Sequence, residues 1–129
     1  MPETLKSVDV PNAPKPVGPY SPAVIVGNLV FVSGQSGRDP ATDHVAETIE
    51  EQTEQVLRNI ATILEAAGSS LSRVLRCGVF LTDMAEFSRM NGVYARMFEG
   101  HRPARTTVAV SELPGAGLKV EIDAVATLQ

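Results

Sequence analysis

The chain has 129 residues, 43% of them hydrophobic and 20% charged, a balance that supports one compact domain and excludes a disordered polyelectrolyte or a compositionally biased fibrous chain. With 11 Lys and Arg against 15 Asp and Glu the formal net charge is −4, so the summed field repels phosphate backbones and argues against nucleic acid as a partner. The longest apolar run, Ala23 to Val32, is broken by Gly27-Asn28 and falls short of the roughly 20 residues of a bilayer-crossing helix.

Residues 1–16 read as an extended lead-in to a single domain over 1–129, and five prolines between Pro11 and Pro22 keep its continuation irregular. With charges and prolines where a secretory signal would have an apolar core, the start of the chain points to a cytoplasmic protein. Two short β-branched runs follow, Ala23 to Val26 and Leu29 to Ser33, and Gly27-Asn28 between them suits the positive φ of a tight hairpin. Both faces of this hairpin are apolar, so something must cover each side.

Ser33 to Asp43 has the Gly, Ser, Asp and Pro chemistry of a loop. Apolar residues from Ile49 to Ala67 recur at three- and four-residue steps and predict an amphipathic helix over Glu47 to Ala67, with Thr48 and Glu51 spaced as a capping box and Gly68 as its stop. Val74 to Leu81 reads as a strand with Leu75, Cys77, Val79 and Leu81 on its apolar face. A second helix is expected from about Asp83 to Glu99, with Phe87, Met90, Tyr94, Met97 and Phe98 in register and Gly100 as its stop. Thr106 to Val110 is β-branched and predicts a strand entered directly from Arg105, Glu112 to Gly117 a turn, and Leu118 to Leu128 alternates as a last strand. The order β, β, α, β, α, β, β implies an α+β fold, a mixed sheet with two helices on one face; the apolar opposite face is expected to bury against further copies in a closed oligomer.

Several chemistries find no support. Cys77 is the only cysteine, which excludes an internal disulfide, and His44 and His101 are the only histidines, so no metal site is expected. Neither histidine has a nucleophile context, no Gly-x-Ser-x-Gly elbow is present, and both read as solvated. Gly115-Ala116-Gly117 lacks the phosphate-loop ending and the dinucleotide spacing. What remains is a set of polar residues at the edges of apolar strands: Tyr20, Ser33, Arg105 and Glu121, with Asn91 on a helix. Taken singly each has a plain structural reading, as an anchor, a turn residue, a surface ion-pair partner, a solvated strand position and a helix kink.

Taken together they lie in Gly18-Pro19-Tyr20-Ser21-Pro22-Ala23, Ser33-Gly34-Gln35, Asn91 to Tyr94, Arg102-Pro103-Ala104-Arg105 and Val120-Glu121-Ile122-Asp123-Ala124, five separated motifs in one order. In these the chain resembles the RidA, or YjgF, family from about Pro14 to Leu128. The resemblance implies a chorismate-mutase-like fold assembled as a homotrimeric barrel with clefts between subunits. It also implies cofactor-free hydrolysis of 2-imino acids and their enamines, such as 2-iminobutanoate and 2-iminopropanoate, to 2-keto acids and ammonia. By that likeness Arg105 binds the substrate carboxylate, for which guanidinium offers a rigid bidentate fork, and Glu121 orients or deprotonates the attacking water. Tyr20, Ser33, Gly34, Asn91 and Thr107 match substrate-positioning and cleft-wall residues. Thr107 stands where many members carry Cys, which removes any thiol role there. The alternatives are a non-catalytic module that binds 2-keto acids and, further off, a ribonuclease or translation inhibitor, as some relatives are labelled.

Overall fold

The computed structural model describes residues 4–129. Its elements run β1 (Lys6–Ser7), β2 (Ala23–Val26), β3 (Leu29–Ser36), α1 (Ile49–Ala67), β4 (Val74–Leu81), α2 (Phe87–Phe98), β5 (Ala104–Ala109) and β6 (Val120–Thr127). The strands form one sheet in the order β1-β2-β3-β6-β4-β5, parallel only between β4 and β5. This is the mixed sheet with two helices expected of the sequence.

Gly27 at φ 56° closes the β2–β3 hairpin, a left-handed conformation that glycine adopts without Cβ strain. Pairing Val24 with Phe31 and Ile25 with Val30 sends Val30 and Val32 into the core and leaves Phe31 on the other side, 44% exposed. Thr48 caps α1 as its spacing predicts: its hydroxyl accepts the Glu51 N–H at 3.1 Å and donates to the Glu51 carboxylate at 2.8 Å. The helix buries Ile49, Val56, Leu57, Ile60, Ile63 and Leu64 completely against β3, β6 and α2, worth about 1.5–3 kcal/mol per large side chain. Gln52, fully buried in α1, donates to the Ala46 and Gly117 carbonyls and accepts the Lys119 N–H, each at 2.8 Å. One side chain thereby ties the loop before α1 to the turn that enters β6.

Several expectations need correction. Lys6–Ser7 of the lead-in joins the sheet as an edge strand, and Val8, Val10 and Ala13 behind it enter the core. The expected loop from Ser33 begins only after Ser36, because a bulge between Val32 and Gln35 lets β3 continue beside β6 past Gly34. A second bulge, between Val74 and Arg76, turns Leu75 outward to 47% exposure and puts Val74 in the core, so the apolar alternation of β4 starts at Cys77. His101 is not a solvated histidine: its Nε2–H donates to the Val74 carbonyl at 2.6 Å, beside that bulge, and its ring meets Phe98 edge-on. The second helix starts as a 3₁₀ turn at Met84–Glu86, capped by the Asp83 carboxylate, and becomes α-helical at Phe87. Arg105 lies inside β5, which starts at Ala104, and does not precede it.

Candidate functional site

The ladder registers decide which side of the sheet each candidate faces. Arg105 pairs with Cys77, and Cys77 with Ala124, so all three share the helix side. Glu121 is three residues from Ala124 on the same strand, pairs with Phe80 and Ser36, and therefore faces the opposite side. The two residues expected to act together are separated by the thickness of the sheet.

Around Arg105, α2 supplies one wall. Phe87, Asn91 and Tyr94 recur at four- and three-residue steps on one helix face, and the Arg105 guanidinium carbon sits 4.8 Å from the Tyr94 ring centroid and 5.6 Å from that of Phe87. Asn91, Tyr94, Ala95, Arg102, Pro103 and Arg105 line a cleft of about 290 Å³. Among the described residues Arg105 has no ion-pair partner within 4.0 Å, whereas Arg38, Arg58, Arg76, Arg89 and Arg96 each have one. The Asn91 Oδ1 is buried with no hydrogen-bond partner among the described residues, and the Tyr94 hydroxyl is buried against the Cys77 thiol and the Arg105 side chain. Burial pushes the Tyr94 phenol far above its ordinary range, with the adjoining Cys77 thiol adding to the effect, and burial likewise pushes the Cys77 thiol up. No acidic side chain lines the cleft around the guanidinium. A guanidinium in a cleft lined by no carboxylate has the donors to pair with a small anion.

Around Glu121 the second constellation forms on the other side. Tyr20, Pro22, Gly34, Gln35 and Glu121 line a cavity of about 70 Å³ together with Pro114 and the cations Lys15 and Arg38. A β-carbon at Gly34 would displace the Glu121 carboxylate from its present place. Burial raises the Glu121 carboxyl above its ordinary value, and the Asp123 carboxylate two residues along the same strand face adds to the shift. Tyr20 is 47% exposed and its hydroxyl accepts the Val17 N–H at 3.3 Å, so its ring is held over the proline-rich segment. The Ser33 hydroxyl donates to the Ser21 carbonyl at 2.6 Å and its N–H to the Pro22 carbonyl at 2.9 Å. Ser33 therefore braces the Tyr20 segment against β3 and does not line the cavity itself. Thr107 shares the Arg105 face and pairs with Val79, outside the lining of either cavity.

The sequence reading missed Phe87 and Tyr94 as neighbours of Arg105, because aromatics at helical spacing read equally well as core. Their shared face with Asn91 is the signal that could have marked them.

The endoribonuclease L-PSP family model matches residues 10–128. The chain belongs to this family, the YjgF or RidA family. A RutC family protein of Pyrococcus horikoshii is 51% identical over 116 residues, 89% of this chain and 91% of its own. Reactive Intermediate Deaminase A, chloroplastic, of Arabidopsis thaliana is 44% identical over 122 residues, 94% of this chain and 65% of its own. The crystal structure of E. coli TdcF with bound serine superposes with a TM-score of 0.90 at 35% identity, covering 95% of this chain and 98% of that one. Family membership accounts for both the sheet and the order of the five motifs. No helix among the described residues is long and apolar enough to cross a membrane.

Proposed function

We propose that the protein is a 2-imino acid deaminase of the RidA type, converting substrates such as 2-iminobutanoate and 2-iminopropanoate to 2-keto acids and ammonia in the cytoplasm. The observation that carries this reading is the Arg105 guanidinium, held on a cleft wall by aromatic rings without a carboxylate partner. The Arabidopsis relative named a reactive intermediate deaminase and the TdcF structure with bound serine agree with a small carboxylate-bearing ligand.

Arg105 pairs with the substrate carboxylate through two parallel N–H donors and fixes the imine carbon relative to it. Glu121 accepts a proton from water as the oxygen attacks that carbon, and the C=N electron pair moves onto nitrogen. The nitrogen is protonated to give the carbinolamine; Glu121 returns its proton to that nitrogen, which leaves as ammonia while the hydroxyl loses its proton and becomes the keto acid carbonyl. Water and imine are the only reactants. Tyr20, Gly34 and Asn91 shape the walls in which the substrate lies, Ser33 braces the Tyr20 segment, and Thr107 supports β5 beside Arg105.

Because Arg105 and Glu121 face opposite sides of one sheet, this mechanism uses Arg105 of one subunit and Glu121 of another. The side away from the helices keeps Phe31 and Val108 exposed, at 44% and 40%, an apolar surface suited to burial against a neighbouring sheet. A closed homotrimer, with the sheets as an inner barrel and one composite cleft per interface, meets both requirements.

The test is release of 2-keto acid from 2-iminobutanoate generated in situ by a dehydratase acting on threonine. Wild type accelerates release over the buffer rate and Arg105→Ala does not. A folded, oligomeric wild type that gives only the buffer rate would contradict the reading and leave a carboxylate-binding module in its place.

A further inference from the structure

The arrangement that holds Arg105 goes beyond the residues assigned to the reaction, although its argument rests on the carboxylate-binding reading. An arginine side chain has many rotamers, and one without a carboxylate partner has no charge contact to select among them. On β5 the Arg105 backbone is fixed by pairing beside Cys77, and the guanidinium then extends towards α2. There it meets the faces of two rings, Tyr94 at 4.8 Å and Phe87 at 5.6 Å. Tyr94 is anchored in turn: it is 6% exposed, belongs to the core cluster and packs on Phe98 with ring centroids 4.7 Å apart. Its hydroxyl is buried against the Cys77 thiol and the Arg105 side chain.

We propose that Tyr94 is a positioning residue for Arg105, which with Phe87 clamps the guanidinium plane on aromatic faces so that its N–H edge stays free for the substrate carboxylate. An acidic partner would also order the arginine, but it would occupy the donors the substrate needs. Ring faces order the cation and leave its donors unspent. The shared helix face gives Phe87 and Tyr94 a common task at the two ends of the cleft wall that Asn91 occupies between them.

The test reads carboxylate binding directly, by calorimetric titration of the intact oligomer with 2-ketobutanoate, alongside KM and kcat. Phe87→Leu and Tyr94→Leu each weaken keto acid binding and raise KM about 10-fold, the size of a lost cation–π contact, with kcat changed less than KM. Tyr94→Phe keeps the ring and restores binding to within about 3-fold of wild type. Arg105→Ala binds about 100-fold more weakly, and in that background Phe87→Leu adds nothing further. Phe87 lies at the exposed start of α2, so its variant tests the clamp even if Tyr94→Leu fails to fold. Wild-type affinity in folded Phe87→Leu, or an equal loss with and without Arg105, would overturn the clamp while leaving the carboxylate site intact. No keto acid binding by wild type, in contrast, would overturn the clamp and the carboxylate site together.

Discussion

Glu121 carries a carboxyl raised by burial and by Asp123, and the direction of that shift has two consequences. As a base it works ionised, so the acid limb of kcat/KM lies above the ordinary Glu value of about 4.3, activity falls as pH drops through it, and Glu121→Gln removes most activity together with that limb. For stability the sign is reversed. A folded state that binds the proton more tightly than the unfolded chain is favoured by this group at low pH, and the contribution is lost as pH rises through the raised value. Glu121→Gln should therefore melt no lower than wild type at pH 7 and lose any advantage at pH 4, as thermal melts at the two values would show. Cys77 has a thiol pushed up by burial, so alkylation by iodoacetamide at pH 8 should proceed only at the rate of unfolding, and labelling at the speed of a free thiol would contradict its place in the core. At this scale Arg105 and Glu121 were legible because their motifs single them out among many charged residues. The clamp on Arg105 was not legible, since Phe87 and Tyr94 satisfy a helix's apolar stripe equally well without it.

Elements show where local chemistry suffices and where pairing overrides it. The capping box at Thr48, the Gly68 stop and the Gly27 turn were each readable, because a few neighbouring residues specify them. The two bulges were not, because one inserted residue changes register without changing composition, and they decide that Gly34 reaches Glu121 and that Leu75 points outward. Gln52 was likewise invisible among the polar residues of α1, although its bond from the Lys119 N–H reaches across 67 residues of chain. Replacing it with Leu strands those backbone groups and should cost about 3 kcal/mol, near 10 °C in melting temperature, whereas Thr48→Ala should cost about 1 kcal/mol. A Gln52→Leu melt within about 2 °C of wild type would show that the tether is dispensable. Gly34→Ala should keep the fold and lose activity, since its β-carbon displaces the Glu121 carboxylate; full activity would refute that close approach.

For the whole molecule, the alternation of the strands already implied a second apolar sheet face, and the exposed Phe31 and Val108 lie there. That Arg105 and Glu121 take opposite sides of the sheet was not legible, because the sequence orders them along one chain and says nothing of the sides they take. Charge placed on the face by Phe31→Asp should lower the mass in light scattering towards the single-chain 13.7 kDa and abolish activity while circular dichroism keeps the helices. An active single chain would break the account, as would a Phe31→Asp oligomer of wild-type mass. The most direct test is subunit mixing: Arg105→Ala and Glu121→Gln proteins, each inactive alone, are unfolded together, refolded at equal ratio and assayed for imine hydrolysis. If the cleft takes Arg105 from one subunit and Glu121 from its neighbour, about one quarter of the sites regain both residues and activity returns to about that fraction of wild type. Mixed oligomers, verified by mass, that remain inactive would place both residues in one subunit's site or outside the reaction, and would contradict the composite cleft.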